Sequence, residues 1–140
     1  MGPDDVRDAQ RQTWNRFATG WKKWDDVTMA GLKPIGEALD RMALLRDGDR
    51  GLDVATGTGE PGLTAARLVG RGEVIGTDLA EEMVKVAQEK AQALGIGNYA
   101  ARVVDGAGLP FGDGEFDAVL CRHGLMFFPD IAAGLRECVR

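Results

Sequence analysis

The sequence predicts an α/β fold in which a helical amino-terminal segment, residues 1–46, precedes a core of alternating strands and helices, residues 47–140. Two observations carry that prediction. Apolar strand candidates lie near Leu52, at Val74 to Thr77, at Ala101 to Val104 and at Ala118 to Cys121, with helical spacing in the intervening and flanking stretches. The run Gly51 to Leu68, GLDVATGTGEPGLTAARL, also reads as a buried strand, a glycine turn and a helix start in immediate succession.

The elements follow in order. From Val6 to about Leu45 the chain reads as helical, with Val6, Gln10, Trp14, Phe17, Trp21 and Trp24 at spacings that place them on one face. Gly20 is expected to interrupt it. A further helix from Pro34 to Leu45 presents Ile35, Leu39 and Met42, and Arg46-Asp47-Gly48-Asp49 closes the segment as a turn. Leu52 and Val54 supply the first core strand, and Gly57 and Gly59 let the backbone turn sharply and approach a ligand. Pro61 fits the first turn of a helix packed through Leu63, Ala66 and Leu68 to Val69, up to Gly70. Free amides at that helix start would favour a phosphate or carboxylate. The helix Glu81 to Leu94 turns Met83, Ala87, Ala91 and Leu94 inward, with Gly95 and Ile96 as its cap. Pro129-Asp130 opens a last helix, Ile131 to Arg140.

Composition excludes several classes. The 140 residues, 44% hydrophobic, suffice for one core. A net charge of −5 without a basic block argues against nonspecific nucleic-acid binding, which needs Lys and Arg to neutralise phosphates. No apolar stretch reaches membrane-spanning length, and the polar start MGPDDVRDAQRQ lacks a secretory signal's apolar core, so the cytoplasm is the expected compartment. Cys121 and Cys138 show no metal spacing and read as buried or half-buried thiols.

Two ligand classes compete for the glycine turn. Gly57, Gly59 and Gly62 satisfy G-x-G-x-x-G, and Asp78 ends the second strand about 20 residues on, as a dinucleotide site requires. Asp53, inside the strand just before the turn, points the other way. A carboxylate there would repel a pyrophosphate but attract an ammonium or sulfonium carried next to a carboxylate, the charge pattern of S-adenosylmethionine.

With these residues in view, the chain resembles the class I S-adenosylmethionine-dependent methyltransferases, most closely the group related to the ubiquinone and menaquinone biosynthesis C-methyltransferases. The resemblance spans roughly Gly51 to Arg140 through LDVATGTGEPGLTAARLV, VIGTDLAEEMVKVAQEKAQALG, VVDGAGLPFGDGEFDAVLCRHGLMFFPD and IAAGLRECVR. It implies a Rossmann-like parallel sheet of order 3-2-1-4 with an amino-terminal helical cap. It sets Gly57 and Gly59 under the methionine end, Asp78 on the ribose hydroxyls, Leu79 and Met83 near the adenine face, and Asp105 with the Gly106 amide on the adenine edge. Arg122 is placed for the methionine end. Ala55 stands in the cofactor turn where many members have the first glycine, and Ala80 where many have a serine cap. A carboxylate at a strand's end can accept both hydrogen bonds of a vicinal diol, which suits Asp78, though aspartates after strands also cap turns.

The implied function is methyl transfer from S-adenosylmethionine to a carbon, oxygen or nitrogen of a small-molecule acceptor, with no metal. His123, the only histidine, is the candidate catalytic residue, able to remove a proton from the acceptor, and a solvated loop histidine is the alternative. Leu125, Met126, Phe127 and Phe128 read as core or as an apolar substrate wall. The tryptophans read as a packing face and, by the resemblance, as a lid. Two other functions compete: a noncatalytic cofactor-binding or assembly module, and an NAD(P)-dependent reductase. Against the reductase, Tyr99 is the only tyrosine and Val103 follows it by four residues where such a pair needs lysine. The resemblance also implies a fifth strand and a terminal strand pair after the last helix, which this sequence lacks. Strand four is then expected to be an unprotected apolar edge that invites homo-oligomerisation.

Overall fold

The apolar runs form four strands in the computed structural model, which describes every residue from Met1 to Arg140: β1 (Arg50–Val54), β2 (Glu73–Asp78), β3 (Tyr99–Val103) and β4 (Ala118–Leu120). They pair in parallel in the order β3-β2-β1-β4, with Leu52 opposite both Ile75 and Val119. Consecutive residues of β1 and β2 are buried, as expected of central parallel strands covered on both faces. One face packs Leu63, Val69, Val74, Val84 and Ala87, and the other gathers Leu52, Val54, Ile75 and Leu109. The helices are α1 (Pro3–Lys23), α2 (Asp25–Ala43), α3 (Gly62–Leu68), α4 (Glu81–Ala93) and α5 (Ile131–Val139), with a 3-10 turn at Leu125–Phe127.

The amino-terminal helices differ from the expectation in two places. The break falls at Trp24 and not at Gly20, because Lys22 and Lys23 end α1 while Asp25 and Asp26 begin α2, each pair suited to the helix dipole there. No separate helix starts at Pro34, which lies inside α2. Pro34 and Ala30 are both exposed, so the carbonyl that the proline leaves without an amide partner faces water. The buried stripes are shifted accordingly. Phe17, Trp24 and Met42 are 47%, 57% and 79% exposed, while Ala18, Gly36 and Asp40 are buried. Pro61 immediately precedes α3 rather than sitting inside its first turn. Leu94 is half exposed beyond α4, where Gly95 at φ +68° allows the Ile96 amide to reach the Ala91 carbonyl at 2.9 Å.

Polar contacts tie α1 to the core along its length. Arg7 pairs with Asp105 at 2.5 Å, and Lys22 pairs with Glu89. Between them, Asn15 Oδ1 accepts the Glu82 amide at 3.0 Å. Ala80 offers α4 no side-chain cap, so a neighbouring helix supplies the missing acceptor. Asn15→Ala is expected to cost about 1 kcal/mol, the usual worth of a cap. That corresponds to a Tm about 3 °C lower for a chain of this size, read by thermal denaturation. An unchanged Tm would mean that water replaces Asn15 at no cost.

Candidate functional site

The carboxyl ends of the strands open on a cavity of about 430 Å³, closed on its other sides by α1, α2 and the turn after β4. The chain leaves β1 through three positive-φ residues, Ala55 at +57°, Gly57 at +56° and Gly59 at +118°. Ala55 holds a conformation that costs an L-residue about 1 kcal/mol. Its Cβ packs where a Cβ on Gly124, in the loop after β4, would come within 2.4 Å. Gly57 lies on the cavity wall, and a Cβ there would meet nothing within 4 Å, which leaves the space to a ligand. Gly59 is not on the wall: a Cβ would lie 2.6 Å from Leu63 Cδ1, so this glycine serves packing against α3.

Asp53 is also turned away from the cavity, contrary to the expectation that it meets a ligand cation. Its side chain is fully buried, and Oδ2 accepts from Thr56 Oγ1 at 2.7 Å and from the Gly62 amide at 2.8 Å. Thr56 Oγ1 in turn shares a hydrogen bond with Tyr99 Oη at 2.8 Å. The free amides expected at the start of α3 are therefore taken: Gly62 by Asp53, Leu63 by the Gly59 carbonyl and Thr64 by Glu60 Oε2 at 3.1 Å. Acidic side chains already fill the positive end of this helix, so an anionic ligand group finds no place there.

Burial pushes the Asp53 pKa up to about 7, against the opposing pull of Thr56 and Gly62, and pushes Asp40 up to about 6 with Glu60 adding in the same direction. For an acid raised in the folded state, stability is greatest below its ordinary pKa and is lost as pH rises through the folded value. The urea midpoint is therefore expected to fall between about pH 4 and pH 7, with Asp53 contributing at most about 4 kcal/mol over that interval. Asp53→Asn keeps an acceptor for Gly62 and should flatten the fall. An unaltered slope would show that Asp53 does not titrate in this range.

Nine of the expected site residues do meet on the cavity wall: Ala55, Gly57, Asp78, Leu79, Met83, Asp105, Gly106, Arg122 and His123. Asp78 accepts the Ala80 amide on Oδ1 and the Gly57 amide on Oδ2, both at 2.9 Å, so it fixes the glycine turn and keeps lone pairs toward the cavity. Burial raises its pKa, opposed by those amides. Asp105 accepts the Ala107 amide on Oδ1 at 2.9 Å and holds Arg7 Nε with Oδ2. A Cβ on Gly106 would come 2.4 Å from Phe128 Cζ. The half-buried Arg122 guanidinium is pushed down in pKa by burial, against the pull of Asp53, Glu60, Asp40 and Asp25. Its one polar contact is Nη2 to Met29 Sδ at 3.5 Å. His123 sits exposed on the wall with φ +57°.

The wall also contains residues that sequence spacing did not single out: Arg7, Met29, Leu32 and Glu60. Glu60 follows the glycine turn directly, which was the available signal. Trp14 and Trp21 combine packing and lining, with Trp14 edge-on to Phe127 at 5.2 Å between ring centres.

Known proteins resemble this chain in sequence and in fold. Residues 52–140 match the model of a methyltransferase domain. An uncharacterized protein of Mycobacterium tuberculosis is 41% identical over 129 residues, covering 91% of this chain and 45% of that protein. A demethylmenaquinone methyltransferase of Geobacillus kaustophilus is 38% identical over 105 residues, covering 74% of this chain and 45% of that protein. The crystal structure of a SAM-dependent methyltransferase from Aquifex aeolicus superposes with a TM-score of 0.66 at 28% identity, covering 73% of this chain and 55% of that one. This chain thus spans less than half the length of the curated relatives it matches.

Proposed function

We propose, since this chain belongs to the methyltransferase domain family and within it to the class I S-adenosylmethionine-dependent group, that it transfers a methyl group to a small acceptor bound beside the β4 end of the cavity. The observation that carries this reading is Asp78 hydrogen-bonded to the Gly57 amide, with open space over Gly57. The residues present suit the cofactor. Asp78 would take the ribose diol, Leu79 and Met83 the adenine face, and Asp105 and the Gly106 amide the adenine edge. When bound, S-adenosylmethionine supplies a methyl group made electrophilic by its sulfonium. The protein's own part is to align the acceptor and exclude water, which is where most of the rate gain from preorganisation lies.

Met29, Leu32, Met126 and Phe127 form an apolar wall on the β4 side, suited to a largely apolar acceptor. His123, exposed at that rim, would receive the proton lost by the acceptor atom. No helix is long and apolar enough to cross a membrane. Calorimetric titration with S-adenosylmethionine, S-adenosylhomocysteine and NAD tests the reading: heat with the first two and none with the dinucleotide is expected, and the reverse would sink it. Self-association through β4, which pairs with β1 alone, belongs to the same proposal. Light scattering should then show mass rising with concentration, and a constant monomer mass would exclude it.

A further inference from the structure

We infer that the outward face of α2 is an interface between two copies of this chain, packed antiparallel about a two-fold axis near Lys33. It stands apart from the cofactor reading, since Met29 and Leu32, the residues of α2 that line the cavity, lie on another side of the helix.

Helical spacing carries the first part of it. Trp24, at the N-cap of α2, is followed by Val27, Gly31, Ile35, Ala38 and Met42, in steps of three and four that keep all six on one line over roughly five turns. The four large side chains are between 41% and 79% exposed. The inner side of α2, with buried Gly36 and Asp40, packs toward β4, so this second apolar stripe is a surface without a cover.

The order of residues along the stripe says what covers it. Large and small positions alternate about its midpoint, so a two-fold axis sets Ile35 of one copy against Gly31 of the other, Val27 against Ala38, and Trp24 against Met42. Knobs then face gaps. The charges beside the stripe have the same symmetry. Unlike Asp25, which Lys90 holds at 2.7 Å, Asp26 is exposed and makes no ion pair within the chain, and the same is true of Arg41. Lys33 and Glu37, which lie between them, already pair with each other at 3.7 Å. Antiparallel packing brings Asp26 of each copy to Arg41 of the other, once on each side of the axis, whereas parallel packing would set like charges together. One free anion and one free cation at opposite ends of the stripe suit a reversed copy of the same helix better than an anionic lipid surface. A helix pair of this length falls at the small end of specific interfaces, so the dimer is expected to be weak and reversible.

Sedimentation equilibrium of the full chain over a concentration series gives the test, and the wild type should pass from monomer to dimer. Val27→Lys, at a position largely exposed in the single chain, should weaken the dimer about tenfold or more by placing a charge against Ala38 of the other copy. Asp26→Arg and Arg41→Asp each set like charges opposite one another at both ends of the pair, and each variant alone should dimerise about tenfold more weakly. An equimolar mixture of those two variants restores both ion pairs and should recover wild-type association, an outcome that a loss of helix stability cannot mimic. Circular dichroism checks that each variant keeps its helices. The inference is overturned if the wild type stays a monomer, if Val27→Lys associates as the wild type does, or if the mixture associates no better than its components. Association that survives all three substitutions would belong to another surface, the β4 edge among them.

Discussion

Asp78→Ala is expected to weaken S-adenosylmethionine binding by about 3 kcal/mol, roughly 150-fold, the upper end for losing hydrogen bonds to a charged group. The carboxylate does two jobs. It would meet the ribose diol, and it anchors the Gly57 and Ala80 amides at 2.9 Å each. Removing it frees both amides and loosens the turn over which the ligand lies. Asp78→Asn keeps one acceptor oxygen and should fall between the wild type and alanine. Calorimetry with circular dichroism on each variant separates binding from folding. An unchanged Kd in a folded alanine variant would remove Asp78 from the site.

The largest effect on stability is expected from Gly76→Ala in β2. A Cβ there would lie 2.2 Å from Tyr99 Oη and 2.9 Å from Thr56 Oγ1. Tyr99 cannot simply swing aside, because its ring is buried and a Cβ on Gly62 would already sit 2.9 Å from its Cε2. The added methyl therefore breaks the Tyr99–Thr56 bond and disturbs Thr56 on Asp53. Overpacking and the lost hydrogen bond together amount to about 3–5 kcal/mol. Urea denaturation should show the loss, and adding Tyr99→Phe, which removes the obstructing oxygen, should recover part of it. If the double variant is no more stable than Gly76→Ala alone, the clash lies elsewhere.

The sheet was legible because β1 and β2 are short apolar runs ended by Asp53-Val54 and Asp78, and parallel central strands need little else. The glycine turn was legible for a similar reason, since Gly57 and Gly59 both adopt positive φ. What each glycine faces was not legible: Gly57 borders the cavity and Gly59 borders Leu63, and spacing alone does not distinguish them. Asp53 misled because a carboxylate's charge suggests a cationic partner, whereas burial and two internal donors, from Thr56 and Gly62, absorbed it. In the amino-terminal segment, Gly20 reads as a helix break and Pro34 as a helix start. Both tolerate the helix because they are exposed, and the boundary lay in the charge reversal Lys22-Lys23 to Asp25-Asp26. Arg7 and Glu60 are ordinary charged residues in sequence, and only the closure of α1 and the glycine turn around one cavity brings them to its wall.

Ala55 and Gly124 share room for a single methyl group. A side chain at position 124 would collide with the Ala55 methyl, so Gly124 can gain one only if Ala55 gives up its own. Exchanging them, Ala55→Gly with Gly124→Ala, conserves the volume between the two loops and moves the methyl to a residue whose φ of −99° suits any side chain. Cys121 Sγ, 2.9 Å from the new Cβ, would then have to rotate. The first turn of the cofactor loop and the loop after β4 thus form one interlocked joint. A methyl group can be moved between the two positions by design, but not added at Gly124 alone.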